Sequence, residues 1–281
     1  MRFKIQLHLK DKAQAKIPIN YQYPLSAAIY KILAKGDEEY AKFLHAEGYG
    51  KGYKFFTFSD LKGSFKIRKD RMTLLKNTIS LQVNFHLPEA SRTFIEGLFR
   101  SEEIVIADKK SKAQFNVQSV ISIENPLKDI PPNEIISVMV KPISPIVIGK
   151  KRDTGHYTFL APDDDSFVEQ LINSWRSKIA ANYNDSIAVD TVLLAEIEKY
   201  RNPWRSRLVT IKADTPEETK IRGFLNFKIK LTAESRFIDL ILNAGLGLYS
   251  AQGMGCLKMI SRRIFENNLN EKVDSKQIKE D

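Results

Sequence analysis

From Leu81 to Leu87 apolar and polar residues alternate without a break: Leu81, Val83, Phe85 and Leu87 against Gln82, Asn84 and His86. A period of two marks a half-buried antiparallel strand, and the flanking chain extends it into a series. "RFKIQLHL" reads as a first strand. "PLSAAIYKIL" (24–33) shifts to the helical period, with Leu25, Ala28, Ile29, Ile32 and Leu33 as its buried stripe. A short second helix, "DEEYAKFLHAEG" (37–48), follows. "KFFTFSDL", "SFKIRK" and "LLKNTISLQVNFHL" are strands, "PEASRTFIEGLFRS" (88–101) is a helix, and "EEIVIAD" and "AQFNVQSVISI" return as strands.

The pattern breaks at "ENPLKDIPPNE" (124–134), which holds three prolines, and then repeats. Strand "EIISVMVKPISPIVI" leads to a helix over 163–183, strands near 188–199, 205–213 and 221–232, an amphipathic helix "AESRFIDLILNAG" (233–245) and a last strand "CLKMISRRI" (256–264). Each half reads strand, helix, strands, helix, strand. The expectation is an α+β protein of two tandem ferredoxin-like (RRM-like) domains with antiparallel sheets, over 1–125 and 134–265, and a charged tail over 266–281. The stretch "RGFLNFKI" (222–229) matches the RNA-recognition RNP1 pattern only at its first three positions.

Composition narrows the function classes. The 281 residues are 43% hydrophobic and 28% charged, as expected of a folded soluble chain. "MRFKIQLHLK" is charged throughout and reads as a strand, not a secretory leader. The longest uncharged stretch, Leu240–Leu257, carries four glycines and is no membrane span. A single cysteine, Cys256, excludes an internal disulfide and a cysteine-based zinc site and suits a reducing cytoplasm. The histidines at 8, 45, 86 and 156 have no metal-site spacing; those at 8, 86 and 156 read as polar-face or loop residues. "DDD" at 163–165 reads as cap and dipole partners of the following helix, not as a magnesium site. The net charge of +10, with basic clusters at 65–71, 109–112, 150–152, 204–207 and 261–263, points to a nucleic-acid partner.

Two places carry candidate chemistry. "GLGLYSAQGMG" (245–255) spaces its glycines as G-x-G, five residues, G-x-G. It fits neither the dinucleotide fingerprint, since Ser250 stands at the sixth position, nor the P-loop. It also runs helix to strand, the reverse of a nucleotide loop. It reads either as a long connection with tight turns or as a nest of amides for an anion. The other place is the helical pair. Tyr30 falls about 130° from the centre of its helix's apolar stripe at 100° per residue. His45 lies in the last turn before the stop at Gly48, where the helix dipole favours imidazolium. Lys51 and Lys54 follow. If the helices form a hairpin, these groups suit metal-free RNA cleavage: one group takes the 2′-hydroxyl proton, another protonates the 5′ oxygen, and an ammonium steadies the phosphorane. The residues equally allow a packing tyrosine and a capping histidine.

"PINYQYPLSAAIY", "FLH" and "KFFTFSDL", together with the glycine loop, resemble the CRISPR-associated endoribonucleases that cut precursor CRISPR RNA within each repeat, the Cas6 family. The similarity runs over about residues 1–265. It implies tandem ferredoxin-like domains and cleavage that needs neither metal nor cofactor, leaving 2′,3′-cyclic phosphate and 5′-hydroxyl ends. The resemblance makes Tyr30 the family tyrosine, His45 the histidine and Lys54 the lysine that opens its K-x-F-T-[FY]-S strand. The segment "AEGYGKGY" between them is longer than the family's, so Lys51 is the alternative lysine. Gly245, Gly247, Gly253 and Gly255 would lie against RNA backbone with their amides near phosphate, and bulky residues at 247 and 253 would weaken RNA binding while sparing the fold. CRISPR repeat RNA is the implied partner, in the cytoplasm, with an effector complex and a homodimer left open. The rivals are a non-catalytic RNA-binding subunit, and a nucleotide-processing enzyme that would need a closed pocket beside the glycine loop.

Overall fold

The computed structural model describes residues 1–153, 155–198, 204–213 and 215–264; the tail expected over 266–281 lies outside them. The first half runs β1 (Arg2–Leu9), β2 (Lys16–Pro18), α1 (Gln22–Gly36), α2 (Glu38–Ala46), β3 (Phe56–Phe58), β4 (Phe65–Arg68), β5 (Arg71–Leu74), β6 (Thr78–Phe85), α3 (Pro88–Ser101), β7 (Glu103–Ala107) and β8 (Lys112–Ile123). Its main sheet has the order β3-β6-β1-β8-β7 with antiparallel pairings throughout. Ile5 and Leu7 of β1 face the helices and are fully buried, while Lys4 and His8 are exposed on the open face. The second half runs β9 (Ile135–Pro142), β10 (Gly149–Lys151), β11 (Tyr157–Phe159), α4 (Phe167–Asn182), α5 (Asp185–Asp190), β12 (Leu194–Glu198), β13 (Arg205–Ile211), β14 (Thr219–Leu225), β15 (Lys228–Glu234), α6 (Ser235–Ala244) and β16 (Leu257–Ile264). Its main sheet has the order β12-β15-β9-β16, again antiparallel. The protein is α+β with two ferredoxin-like units. Among the described residues no helix is long and apolar enough to cross a membrane.

Three local expectations are corrected. The segment near 188–199 is not one strand: Asn184 caps Ile187 N–H at 2.8 Å, so α5 forms first and only Leu194–Glu198 is extended. The stretch 221–232 divides at Asn226, whose φ of 68° turns the chain; β14 then pairs with β13 in a separate hairpin, and β15 enters the main sheet. The RNP1-like residues therefore straddle two sheets. The acids at 163–165 do not cap α4, which has no side-chain cap. Asp164 forms a turn before it, accepting the Ala161 N–H on its carboxylate and the Phe167 N–H on its carbonyl.

Asp37 organises the helical hairpin: it ends α1 and caps α2, its carboxylate accepting Tyr40 N–H at 2.9 Å, ahead of Glu38 and Glu39 in the first turn. α1 is fixed from its other side by α3. At Gly97 an added β-carbon would lie 1.9 Å from the Ile32 carbonyl oxygen, so the two backbones touch there. Gly97→Ala should therefore push α1 off α3 and destabilise the protein by about 1–3 kcal/mol, read as a lower urea midpoint at unchanged slope.

Candidate active site

α1, α2 and the segment leading into β3 bring three of the expected residues into one cluster. The Tyr30 ring stands edge-on to His45, with centroids 5.0 Å apart and planes at 83°, and edge-on to Phe56 at 5.5 Å. Tyr30 is half-buried and not exposed as its helical angle implies, because Phe56 on β3 covers one side of it. That burial raises its pKa well above the ordinary phenol value. His45, in the last turn of α2, is exposed. The Lys54 ammonium donates to the His45 carbonyl at 3.0 Å, at the end of a helix whose last carbonyls have no partner within it. Burial lowers the Lys54 pKa, and the Glu47 carboxylate partly offsets this.

The longer segment between His45 and Lys54 is taken up in a closed turn. Tyr49 and Tyr53 exchange both backbone hydrogen bonds at 2.8 Å, and Gly48, Gly50 and Gly52 all have positive φ. Lys51 stands on the exposed apex of that turn. The turn docks on α4: a β-carbon at Gly50 would lie 2.7 Å from that of Ala181. Among the described residues no three His, Cys, Asp or Glu side chains gather as a metal site requires.

The glycine loop packs against protein. All four glycines have positive φ, from 68° to 86°, and are buried. The amides of Gly245, Gly253 and Gly255 donate to Ile241, Ser250 and Pro145 carbonyls at 2.8–2.9 Å, so they are already paired. A β-carbon would meet the Phe58 ring at 2.2 Å from Gly253 and the Val147 oxygen at 2.5 Å from Gly247. The expectation that bulky residues at 247 and 253 spare the fold is therefore corrected: they would pry the loop from β3 and from the Val147 backbone. Beneath the loop, sequence reading missed Lys178 of α4. Its ammonium is fully buried on the Gly245 carbonyl and the Ser250 hydroxyl (2.7 Å), and burial lowers its pKa to about 7.

A cleft of about 540 Å³ reaches Leu242 and Leu257, just outside the two ends of this loop. It opens between the two main sheets and is lined by Arg2, Lys4, Lys62, Lys128, Lys258 and Arg262. Lys62 also lines a second cleft of about 370 Å³ with Arg205 and Arg207. Both clefts are open grooves lined by basic side chains. The alternating polar positions of β1 were the signal that could have placed Arg2 and Lys4 there.

Comparison with known proteins agrees on both halves. The family models described as CRISPR-associated protein Cas6, N-terminal, and CRISPR associated protein Cas6, C-terminal, match residues 16–120 and 128–259. The chain is 30% identical over 209 residues to the CRISPR-associated endoribonuclease Cas6 1 of Methanocaldococcus jannaschii, covering 73% of this chain and 75% of that protein. It is 25% identical over 210 residues to the CRISPR-associated endoribonuclease Cas6 of Pyrococcus furiosus, covering 72% and 73%. Among solved structures, one described as CRISPR associated protein Cas6 superposes with a TM-score of 0.69 at 24% identity, over 93% of this chain and 99% of that one. The product of a Cas6-related gene from Pyrococcus furiosus gives 0.73 at 20%, over 92% and 98%. These last two establish the fold.

The buried ammonium makes a testable statement about stability. Because the folded pKa of Lys178 lies below its unfolded value of about 10.4, the unfolded chain binds more protons between pH 7 and 10, and this residue's contribution to stability rises with pH. Wild type should gain on the order of 1 kcal/mol over Lys178→Met for each pH unit above about 7. Paired urea titrations at pH 7 and 9 measure the gap.

Proposed function

The chain belongs to the Cas6 family of CRISPR-associated endoribonucleases, and on that premise we propose that it cuts precursor CRISPR RNA within its repeats, without a metal, using Tyr30, His45 and Lys54. The observation that carries this reading is the single cluster in which the Tyr30 ring lies 5.0 Å from His45 while the Lys54 ammonium sits on the His45 backbone. A pure RNA binder needs none of these groups in contact.

In the proposed reaction the 2′-hydroxyl oxygen attacks the adjacent phosphorus. The P–O5′ bond breaks as the P–O2′ bond forms and the 2′-hydroxyl proton passes to solvent water, leaving a 2′,3′-cyclic phosphate and a 5′-hydroxyl. Tyr30, with its raised pKa, stays a neutral phenol at neutral pH, so its part is to hydrogen-bond and orient the ribose at the 2′ position. His45 is exposed and can approach the leaving 5′ oxygen, to which it gives its proton. The Lys54 ammonium places positive charge where the phosphorane oxygens develop negative charge. Lys51, on the apex of the turn, serves RNA backbone and not the reaction. The basic cleft between the sheets holds the RNA that flanks the cut.

His45→Ala should slow cleavage by on the order of 10²–10⁴ while RNA affinity stays within a few-fold, since binding draws on the separate basic clefts. Tyr30→Phe should be milder. A substrate with sulfur in place of the 5′ leaving oxygen needs no proton donor and should restore the rate of His45→Ala and not that of Tyr30→Phe; rescue of the tyrosine variant alone would remove His45 as the acid. Lys54→Ala should cost far more rate than Lys51→Ala. Cleavage should persist in EDTA, and loss of activity restored by magnesium would overturn the metal-free reaction.

A further inference from the structure

The hairpin of β10 and β11 takes no part in the chemistry above, yet it adjoins the glycine loop that packs on β3. It grows directly from Val147, whose carbonyl accepts the Leu248 N–H of the glycine loop at 2.8 Å. Its aromatic residues, Tyr157 and Phe159, stack on each other with centroids 6.4 Å apart and planes at 17°. Opposite Phe159 in the ladder stands Gly149, and a β-carbon there would lie 3.1 Å from the Tyr157 ring and 3.4 Å from the Phe159 ring. The two rings therefore lie flat across a position without a side chain. Phe159 is anchored in the small cluster around Val147, Val209, Ile211, Ile221 and Met254. Tyr157 remains 37% exposed.

Its surroundings tie this ring to the reacting groups. Tyr53, one residue before Lys54, and Tyr249, in the glycine loop, have phenols whose pKa is raised first by burial and further by the neighbouring Tyr157. Tyr249 of the glycine loop and Tyr23 of α1, the helix that carries Tyr30, pack on the same small cluster that anchors Phe159. Tyr249 is held there in the left-handed region, at a φ of 58°, which is strained for a residue with a side chain. Lys151 stands opposite Tyr157 in the ladder, on the same face, and is exposed. A flat, half-open aromatic surface with a cation at its edge is the arrangement that takes an unpaired nucleobase and the phosphate attached to it.

We propose that Tyr157, braced by Phe159 and flanked by Lys151, is a stacking platform for one unpaired nucleobase next to the scissile phosphate, and so a positioning residue for cleavage. The inference rests on the endoribonuclease reading above and adds to it a base-binding subsite. Gly149 keeps the platform flat. The tyrosine turn and the glycine loop set its distance from His45 and Lys54.

The test uses the full chain and the repeat transcript of its own genome's CRISPR array, synthesised with a 2′-deoxy nucleotide at the cut site so that it binds without being cleaved. Binding and cleavage of the unmodified transcript by wild type check the first reading independently. Abasic substitutions are then walked across the nucleotides on either side of the cut. One abasic position should weaken wild-type binding by roughly 5- to 150-fold. Tyr157→Ala should show a similar loss on intact RNA and no further loss at that position, whereas Tyr157→Phe should behave as wild type. Tyr157→Leu, which still covers Gly149 but offers no aromatic face, guards against a folding defect: at an unchanged urea midpoint it should lose the same positional effect. Additive losses from the Tyr157→Ala and abasic changes would overturn the platform. So would wild-type affinity in Tyr157→Ala, or a uniform weakening without a coupled position.

Discussion

At Gly253 there is no room for a β-carbon: the Phe58 ring occupies the place one would take, 2.2 Å away. This contact between a loop of the second domain and an edge strand of the first sets much else. The neighbouring Thr57 hydroxyl donates to the Met254 carbonyl at 2.9 Å, and the Ser26 hydroxyl of α1 donates to Ala251 at 2.7 Å. β3 would otherwise present an unpaired edge; the loop and α6 cover it. Two residues before Phe58 on the same strand, Phe56 backs the Tyr30 ring. The seam between the domains and the wall of the Tyr30–His45 cluster are thus one three-residue strand, and a glycine loop is what lets the seam close.

α4 joins the two loops from behind. Ala181 receives the backbone of Gly50 in the lysine turn, while Lys178 holds the Gly245 carbonyl and the Ser250 hydroxyl. A fully buried ammonium with only neutral oxygens as hydrogen-bond partners is electrostatically expensive, which is why its pKa falls. Gly245 follows the last turn of α6, and the negative end of that helix's dipole favours the cation there. The same helix therefore fixes the loop that carries Lys54 and the loop that closes the domain seam.

Electrostatics divides the surface by task. The open sheet faces carry the cleft cations, including Arg2, which is itself bound to Asn243 at 2.8 Å and to Asp239 at 3.3 Å across the domain seam. The helical face carries Tyr30, His45 and Lys54. Affinity for a polyanion and proton transfer to a leaving group make different demands on solvation. Phosphate contacts work in an open groove, whereas a phenol held neutral needs the partial burial that Phe56 supplies.

The alternation of β6, the stripe of α1 and the proline break at 124–134 determined the two-unit α+β architecture, because a buried face imposes its period on the chain whatever it packs against. The same local patterns placed Tyr30 and His45 on consecutive helices, and the structure closes these into a hairpin at Asp37, which ends one and caps the other. Local pattern could not divide 221–232 between two sheets, since both strands have the same period and only a left-handed Asn226 separates them. Nor could it show that Lys54 meets the His45 backbone while Lys51 stands at an exposed apex: that depends on a turn closed by Tyr49 and Tyr53 and seated on α4. The glycine loop shows the limit most plainly. Its spacing announced that side chains were excluded, but whether RNA or protein fills the space is a question about residues nearly two hundred positions away. Thr57 and Phe58 lie against Gly245 and Gly253, and burial against β3 and pairing of the loop's own amides are properties of the assembled tertiary structure.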